Sequence, residues 1–438
     1  MAQPSHLSRR KFFQHGAALA AAGVAAPHFI PSGVLAAPGR PGANDKIGIA
    51  GIGIGRQGSG DLAAALKDPR TRFIAVAEVN LPRGEATAKI HRGVAVKDYR
   101  KLLDRKDIDA VITATPEHWR ALICIHACQA LKDIYAEKPM TLTIREGRLM
   151  TQAVRKYDRV FQVGSQQRSM PIDQKACEFI RSGGLGKIST VQYWNYPSPW
   201  QCGLEGQPLP EGLDWNLWCG PTKVVPYHPE LYIPRGKPGW LSFRPYSGGE
   251  FTGWGAHGLD MVQYALGMDE SGPVEIWTEG PKFTPLTYTE PESSKRGNAI
   301  TNKPNVFFRY ANGVLLEPVE KAPSFGAYFY GEKGKMTIDR GKVTSEPKEL
   351  AVELLKTVPN SDNHIRNWLD CIGSREKPNG DVEIGHRSAT VCHLGNIARW
   401  AGRKLQWDPV KETFVGDDEA NQYLDRTRRK GYELPEKI

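Results

Sequence analysis

Residues 46–60, KIGIAGIGIGRQGSG, constrain the chain more tightly than any other stretch. The apolar run 47–52 reads as a buried strand. It breaks into a glycine cluster and then into DLAAALKD, which has the composition of a helix start. Gly53, Gly55 and Gly58 fit G-x-G-x-x-G at this strand-to-helix turn. Such a turn lets backbone approach a pyrophosphate and aims a helix N-terminus at its charge. Gly51 and Gly53 begin a competing match, in which Arg56 stands where the third glycine belongs. Glu78 closes a second apolar strand, FIAVAE, twenty residues after Gly58. An acidic side chain there suits the ribose hydroxyls of NAD better than the phosphate of NADP, so NAD is the expected cofactor and NADP the alternative.

From residue 46 to residue 164 apolar strand-like runs alternate with helical patterns, which predicts a doubly wound parallel sheet, a Rossmann domain over residues 45–165. Residues 165–180 read as a single crossover helix and 187–196 (KISTVQYWNY) as a strand. A stretch rich in Pro, Gly and Trp follows over 197–245, too long for a structureless loop unless it is functional, and is expected to be a lid or a subunit contact. A glycine-rich turn then leads into a helix (GGEFTGWGAHGLDMVQYALG). The strands VEIWTEG, NVFFRYANGVLLEP and AYFYGEKGKMTID come next, with Asn312-Gly313 marking a hairpin. These segments predict a second, α+β domain over 166–350 with a largely antiparallel open sheet. Residues 351–438 read as a mainly helical segment that completes the fold, built from NHIRNWLDCI, HRSATVCHLGNIARWAGRK and DEANQYLDRTRRK.

Composition narrows the classes of function. The chain has 438 residues, 40% of them hydrophobic and 24% charged, which suits a soluble protein of two or three domains. The net charge is +10; SRRKFF at 8–13 contributes three of those charges, and the rest are scattered without interleaved aromatics. That pattern is a solvated surface, and no nucleic-acid partner is expected. Seven cysteines, an odd number, show no metal-ligand spacing, so no metal is expected; an exported protein could hold a disulfide, but the sequence does not demand a disulfide framework, and Cys124 and Cys128 fall on one helix face, as packing residues do. SRRKFF resembles the twin-arginine export motif. An alanine-rich segment over 16–26 and the small-residue site Val34-Leu35-Ala36 follow it. Residues 1–37 are therefore read as a twin-arginine signal peptide, which implies passage through the twin-arginine machinery to the periplasm.

Four motifs in order carry a resemblance: the glycine turn, TPEHW at 115–119, EKPM at 137–140 and GWGAHGLD at 253–260. The chain resembles the Gfo/Idh/MocA oxidoreductases, the glucose-fructose oxidoreductase and inositol dehydrogenase superfamily, over residues 45–435. VEIGHRS at 382–388 and LGNIARWAGRKLQWDP further resemble its exported branch. The resemblance makes Lys138 the group that hydrogen-bonds the reacting oxygen and His257 the base that takes the hydroxyl proton, which agrees with an ammonium and an imidazole at a sheet edge. It also places Thr115, Pro116, His118, Glu137 and Lys138 on the cofactor, with Trp119 beside its ring as a candidate substrate contact, and makes Pro139 a candidate for a cis bond. One position departs: where the family has D-x-G-x-H, this chain has Gly253-Trp254-Gly255-Ala256-His257, so the partner carboxylate is missing. Asp260, one turn on, is the substitute that would orient the imidazole, or a structural first-turn acid. Arg168, after the last Rossmann strand with Gln166 and Gln167, would meet a sugar hydroxyl or carboxylate, or would form a domain-hinge salt bridge. Trp194, Trp200, Trp215, Trp218 and Trp240 offer sugar-stacking faces or core.

The family implies an NAD(P)-dependent oxidoreductase acting on a CH–OH group of a sugar or polyol, and a homo-oligomer formed through the second domain's sheet. Export adds a constraint. Nicotinamide cofactor is not freely available outside the cytoplasm, so the expected enzyme carries it tightly bound and recycles it internally. An NAD-dependent glycosidase or lyase working through a transient keto-sugar is the second reading, and a non-catalytic sugar-binding protein the third.

Overall fold

The computed structural model describes residues 46–233, 239–289, 303–356 and 363–438; residues 1–45, with the twin-arginine motif and its leader, lie outside them. Ile47–Ile438 form one compact unit. Among the described residues no helix is long and apolar enough to cross a membrane.

The first sheet has six parallel strands: β1 (Ile47–Ile52), β2 (Thr71–Ala77), β3 (Val94–Val96), β4 (Ala110–Thr113), β5 (Asp133–Ala136) and β6 (Phe161–Val163). Their order, β3-β2-β1-β4-β5-β6, reverses direction between β1 and β4. In such a sheet the crevice at the reversal is where ligands bind. Only β3 escaped the sequence reading, because three residues with an exposed first valine show no run of buried positions.

The longer helices between these strands are α1 (Arg56–Ala65), α2 (Leu81–His91), α3 (Glu117–Gln129) and α4 (Ile144–Lys156), with a single turn, Arg100–Leu103, between β3 and β4. Asn80 caps α2 and Thr143 caps α4, each side chain accepting a backbone N–H of its first turn. By contrast α1 has neither a side-chain cap nor an acidic residue in its first turn. The residues expected to form one helix over 165–180 are split into a 3-10 turn, Gln166–Ser169, and α5 (Pro171–Arg181). Pro171 has no N–H to give and drives Met170 to an extended φ of −84° and ψ of 115°.

The second sheet is the expected open, largely antiparallel one. Its nine strands are β7 (Ile188–Tyr193), β10 (Pro273–Glu279), β12 (Asn305–Tyr310), β13 (Leu315–Pro318), β14 (Gly326–Gly331), β15 (Gly334–Asp339), β16 (Val343–Glu346), β17 (Leu405–Asp408) and β18 (Thr413–Phe414), in the order β16-β15-β14-β7-β13-β12-β10-β17-β18. Only β13 with β7 pairs in parallel. One face of the sheet buries Val191, Phe308, Leu316, Phe329 and Ile338 against α5, α6 (Gly255–Ala265) and α8 (Val382–Ala401). The last of these is buried over nearly its whole circumference, because it packs on α4 and β6 of the first sheet and on α6 and β10 of the second. Further back in the chain, α7 (His364–Ser374) closes the first sheet's core with Trp368.

One expectation changes. The segment after α8 is not mainly helical: it supplies β17 and β18. DEANQYLDRTRRK yields only one turn at Asp418–Asn421 and a 3-10 turn at Gln422–Leu424. Beyond these, Arg426 Nε and Arg428 Nη2 each donate to the buried Glu146 at 2.9 Å, and Tyr432 meets Trp119 edge-on. Charge pairing on a buried carboxylate overrides local helix preference. The described residues of the Pro, Gly and Trp-rich stretch form a subdomain, with β8 (Trp200–Cys202) between β9 (Phe243–Arg244) and β11 (Thr287–Tyr288) in a small parallel sheet. Trp200, Trp215, Trp218 and Trp240 form its core with Tyr246 and Phe243, so these tryptophans serve packing first.

Candidate functional site

A cleft of about 360 Å³ opens at the C-terminal ends of β1, β2, β4 and β5. The three glycines contribute to it for three different reasons. Gly53 turns the chain at φ +65°, where a Cβ would come within 2.3 Å of Thr115 Cγ2. Gly55 lines the cleft, and a Cβ there would meet no protein atom within 4 Å, so its lack of a side chain keeps the space open toward a ligand. Gly58 does not face the cleft; a Cβ would press on the Gly53 carbonyl at 3.0 Å and Ala114 Cβ at 3.1 Å, so this glycine lets α1 lie against β4. Together with the uncapped start of α1, this is a cradle of the shape and polarity that a pyrophosphate requires.

Glu78 sits just past β2 and lines the same cleft. Its Oε2 accepts the Ile54 N–H and its Oε1 the Asn80 N–H, both at 3.1 Å, and the Arg83 guanidinium stands 3.8 Å away. Burial raises the pKa of this carboxyl, and Arg83 with the two N–H groups works against that rise. The carboxylate thus ties the glycine turn to the start of α2 while facing the position a ribose takes in such folds.

Across the cleft Thr115, Pro116 and Trp119 line the wall beside Glu137 and Lys138. Arg120, fully buried, fixes both lips of this wall, donating to the Thr115 carbonyl and to the Pro139 carbonyl. The Lys138–Pro139 peptide is cis. The Lys138 ammonium donates to the Gly253 carbonyl at 3.2 Å. Gly253 ends a short helix, Glu250–Gly253, and α6 starts two residues later. His257, in the first turn of α6, is 6% exposed and packed between Trp254 and Phe325, with ring centroids at 6.1 and 5.3 Å. The lysine is therefore held one helical turn ahead of the histidine, on the backbone of the very residue that replaces the usual aspartate. His257 is not among the residues that line this nucleotide cleft.

Behind Lys138 lies a buried acidic pair. Glu137 Oε1 accepts from Gln166 Nε2 at 2.9 Å and its Oε2 from the Lys138 N–H at 3.1 Å. Asp61, on α1, accepts from Gln57 at 2.9 Å, and its other oxygen is buried with no hydrogen-bond partner among the described residues. Burial first, and then the charge of Glu137, raise the Asp61 pKa. Burial likewise raises that of Glu137 against the pull of Lys138 and Arg120.

Three expected site residues are placed elsewhere. Arg168 is 2% exposed and donates to Asp260 and Asp269, both at 2.8 Å, with its guanidinium 4.7 Å above the Tyr264 ring. Of the two roles open to it, the hinge ion pair is the one observed. Asp260 is equally buried, and its carboxylate accepts from Arg168 and from Ser388 Oγ rather than facing a substrate. His118 lies behind Trp119, its Nε2 against the Trp218 carbonyl at 2.9 Å and its ring against Trp218 and Tyr246. Burial pulls its pKa down to about 3, so it is a neutral packing group. The sequence reading missed Asp61, Arg83, Arg120 and Glu117. Glu117 accepts from Ser247 Oγ at 2.7 Å and the Gly248 N–H at 3.0 Å, locking the TPEHW loop to the far end of the inserted subdomain. For Arg83 a signal existed, since it follows Glu78 by five residues; the Glu137 charge acting on Asp61, the Pro139 carbonyl bound by Arg120 and the Ser247 and Gly248 partners of Glu117 all lie on other segments.

Comparison with known proteins agrees with this geometry. The pattern of an oxidoreductase family's NAD-binding Rossmann fold (GFO_IDH_MocA) matches residues 46–165, and that of the same family's C-terminal alpha/beta domain (GFO_IDH_MocA_C2) matches residues 185–434. An uncharacterised oxidoreductase of Bacillus subtilis, YrbE, is 23% identical over 370 residues, covering 81% of this chain and 93% of that protein. A levoglucosan dehydrogenase of Pseudarthrobacter phenanthrenivorans is 32% identical over 142 residues, 30% of this chain and 36% of the relative. A solved levoglucosan dehydrogenase, in complex with NADH and levoglucosan, shares the fold with a TM-score of 0.57 at 18% identity, covering 82% of this chain and 99% of that one.

Proposed function

Because the chain belongs to the Gfo/Idh/MocA oxidoreductase family, we propose that this NAD-dependent oxidoreductase acts on a CH–OH group of a sugar or polyol, that it is exported by the twin-arginine route to the periplasm, and that it keeps its nucleotide bound and recycles it. The observation that carries the substrate reading is the Lys138 ammonium, held on the Gly253 carbonyl at the end of β5 and one turn ahead of His257. NAD, when bound, supplies the acceptor for the hydrogen that leaves the CH–OH carbon. The chain's own residues do the rest. Gly53, Gly55 and the start of α1 hold the pyrophosphate, and Glu78 takes ribose hydroxyls. Lys138 donates to the substrate oxygen, and His257 takes the hydroxyl proton. With no aspartate at 253, Lys138 anchors on the main chain there instead.

Export and internal recycling rest on residues 8–37 and on the scarcity of nicotinamide cofactor outside the cytoplasm. The relatives' names, levoglucosan dehydrogenase among them, favour a carbohydrate-like alcohol. An assembly through the outer face of the nine-stranded sheet fits that face's chemistry, where Trp277 stacks on Phe307 with centroids 5.4 Å apart and Lys335 lies over Tyr328.

The deciding experiment denatures the purified protein and identifies the released nucleotide. It then follows the absorbance of bound reduced nicotinamide in single turnovers with a panel of sugars and polyols. Turnover with phenol release from an aryl glycoside would replace this reading with the glycosidase one, and binding without any redox change would leave only a sugar-binding protein. Changing Arg9 and Arg10 together to lysine should hold the precursor in the cytoplasm; unaffected export would sink the export reading.

A further inference from the structure

The inserted subdomain bridges the cofactor cleft from lip to lip. On one side it is stitched to the turn between β2 and α2. The Leu81 N–H donates to the Gly212 carbonyl at 3.1 Å, the Asp214 N–H donates to the Val79 carbonyl at 2.9 Å, and Asn80 pairs with Leu213 in an antiparallel bridge. Asn80 Nδ2 also donates to the Tyr232 hydroxyl at 3.3 Å, and the Arg83 guanidinium lies 5.4 Å above the Tyr232 ring while facing Glu78. On the other side it is fastened to TPEHW. Trp119 Nε1 donates to the Leu217 and Trp218 carbonyls at 2.9 and 3.0 Å, and Glu117 holds Ser247 and Gly248. Between the two seams, Leu217, Trp218, Tyr232, Ile233, Trp240 and Leu241 line the cleft opposite the Rossmann wall.

The chemistry of this roof is specific. In a doubly wound fold the end of β2 reads the ribose of the adenosine half. A roof of aromatic and aliphatic groups over that end suits a flat purine, which gains from apolar cover and ring stacking. The first seam sits on the three residues that follow the ribose-reading carboxylate, so the roof cannot lift there without pulling on the β2–α2 turn.

We propose that the inserted subdomain is a nucleotide clasp: its lip of Tyr232, Ile233, Trp240 and Leu241 covers the adenosine half, and undocking from Val79–Leu81 limits how fast the nucleotide leaves. This rests on the tight-retention reading above only for its purpose; the clasp itself needs only nucleotide bound in this cleft. Arg83 and Asn80 act as positioning residues that seat Tyr232.

The test uses the full-length protein loaded with NADH. Its release is followed by nicotinamide fluorescence after mixing with excess NAD. Tyr232→Ala and Leu241→Ala should each raise the release rate constant about tenfold, which is about 1.4 kcal/mol of lost cover, with Leu209→Ala, an exposed position of the same subdomain, unchanged. Release rates in both lip variants equal to that of the unaltered protein would overturn the clasp. Should a lip variant fail to fold, hydrogen exchange on the unaltered protein decides. The Leu81 and Asp214 amides should slow on NADH binding and open no faster than the nucleotide leaves; amides indifferent to the nucleotide would refute the proposal. Retention is judged separately: release in the unaltered protein faster than turnover defeats internal recycling but leaves the variant ratio, and so the clasp, intact.

Discussion

The two long walls of the cleft are built by different means. The Rossmann wall is assembled from short contiguous signals at strand ends: the glycine turn after β1, Glu78 after β2, Thr115 and Pro116 after β4, and Lys138 after β5. The roof comes from residues 212–233 and 240–241, more than a hundred positions away from Glu78, and touches the wall through main-chain bonds and ring faces. The wall's chemistry is fixed by backbone conformation, which needs particular residue types at particular spacings. The roof needs only apolar bulk on a subdomain with its own core, so many sequences would serve. Chemistry at the wall and residence under the roof should therefore separate under mutation.

The largest effect expected is at Lys138. Lys138→Met should lower single-turnover rates by at least about a thousandfold, the range for losing a proton partner and an electrostatic stabiliser together. Nucleotide should stay bound, because the pyrophosphate cradle is backbone at Gly53 and Gly55. His257→Ala should cost roughly two to four orders of magnitude. Full activity of Lys138→Met on the natural substrate would break the division between wall and roof at its strongest point.

Arg168→Met comes next, and its effect should fall on stability. Removing one partner from a buried pair leaves charge unpaired, at a cost of about 3–5 kcal/mol; here Asp260 and Asp269 would both lose their guanidinium. The melting temperature should drop while the KM for substrate in the surviving folded protein stays put. A raised KM at unchanged stability would return Arg168 to the substrate site.

How much of this was legible from sequence follows the same division. The parallel sheet, the glycine turn and Glu78 follow from periodicity and glycine spacing, because each rule acts within a few residues, whereas Thr115, Pro116, Glu137 and Lys138 are marked only by the family resemblance. Arg168 and Asp260 misled because charged residues beside a cleft motif look the same whether they face the cleft or each other; only the Gln166–Ser169 turn, α6 and α8 brought together reveal the ion pair. The C-terminal stretch misled because Glu146, 280 positions before Arg426, decides its conformation. The roof was visible as an insertion too long to be idle, but its docking partner, the Val79–Leu81 turn, carries no mark of its own.

A third test concerns Asp61, on the wall behind Lys138. Its carboxyl pKa is raised by burial and by Glu137. For a raised acid, the folded chain holds a proton that the unfolded chain releases. Its stabilising contribution is complete below the ordinary carboxylate pKa of about 3.9. The contribution then declines as pH rises toward the folded value, at most about 1.4 kcal/mol per pH unit. Asp61→Asn, which mimics the protonated form, should match the unaltered protein near pH 4 and become progressively more stable than it through the neutral range. Parallel melting curves for the two proteins across that range would show that Asp61 is ionised in the fold.

The smallest effect, and the sharpest probe of the comparison, is at Glu78. This residue serves both sides: its oxygens accept the Ile54 and Asn80 N–H groups of the wall, and the guanidinium facing it also lies over the roof's Tyr232. Glu78→Ala deletes the acceptors and should weaken NAD by a few kcal/mol at most, the worth of one or two charge-assisted hydrogen bonds. Glu78→Gln keeps one oxygen acceptor and loses the charge, so it should weaken NAD by only about 1 kcal/mol. It should also narrow the preference over NADP, since the carboxylate no longer repels a ribose phosphate. The decisive comparison is kinetic. If wall and roof act independently, Glu78→Gln changes the affinity measured by titration but leaves the amides of Leu81 and Asp214 as protected as before. If the charge also holds Arg83 over Tyr232, those amides will exchange faster, and Glu78 will have to be counted as part of the clasp.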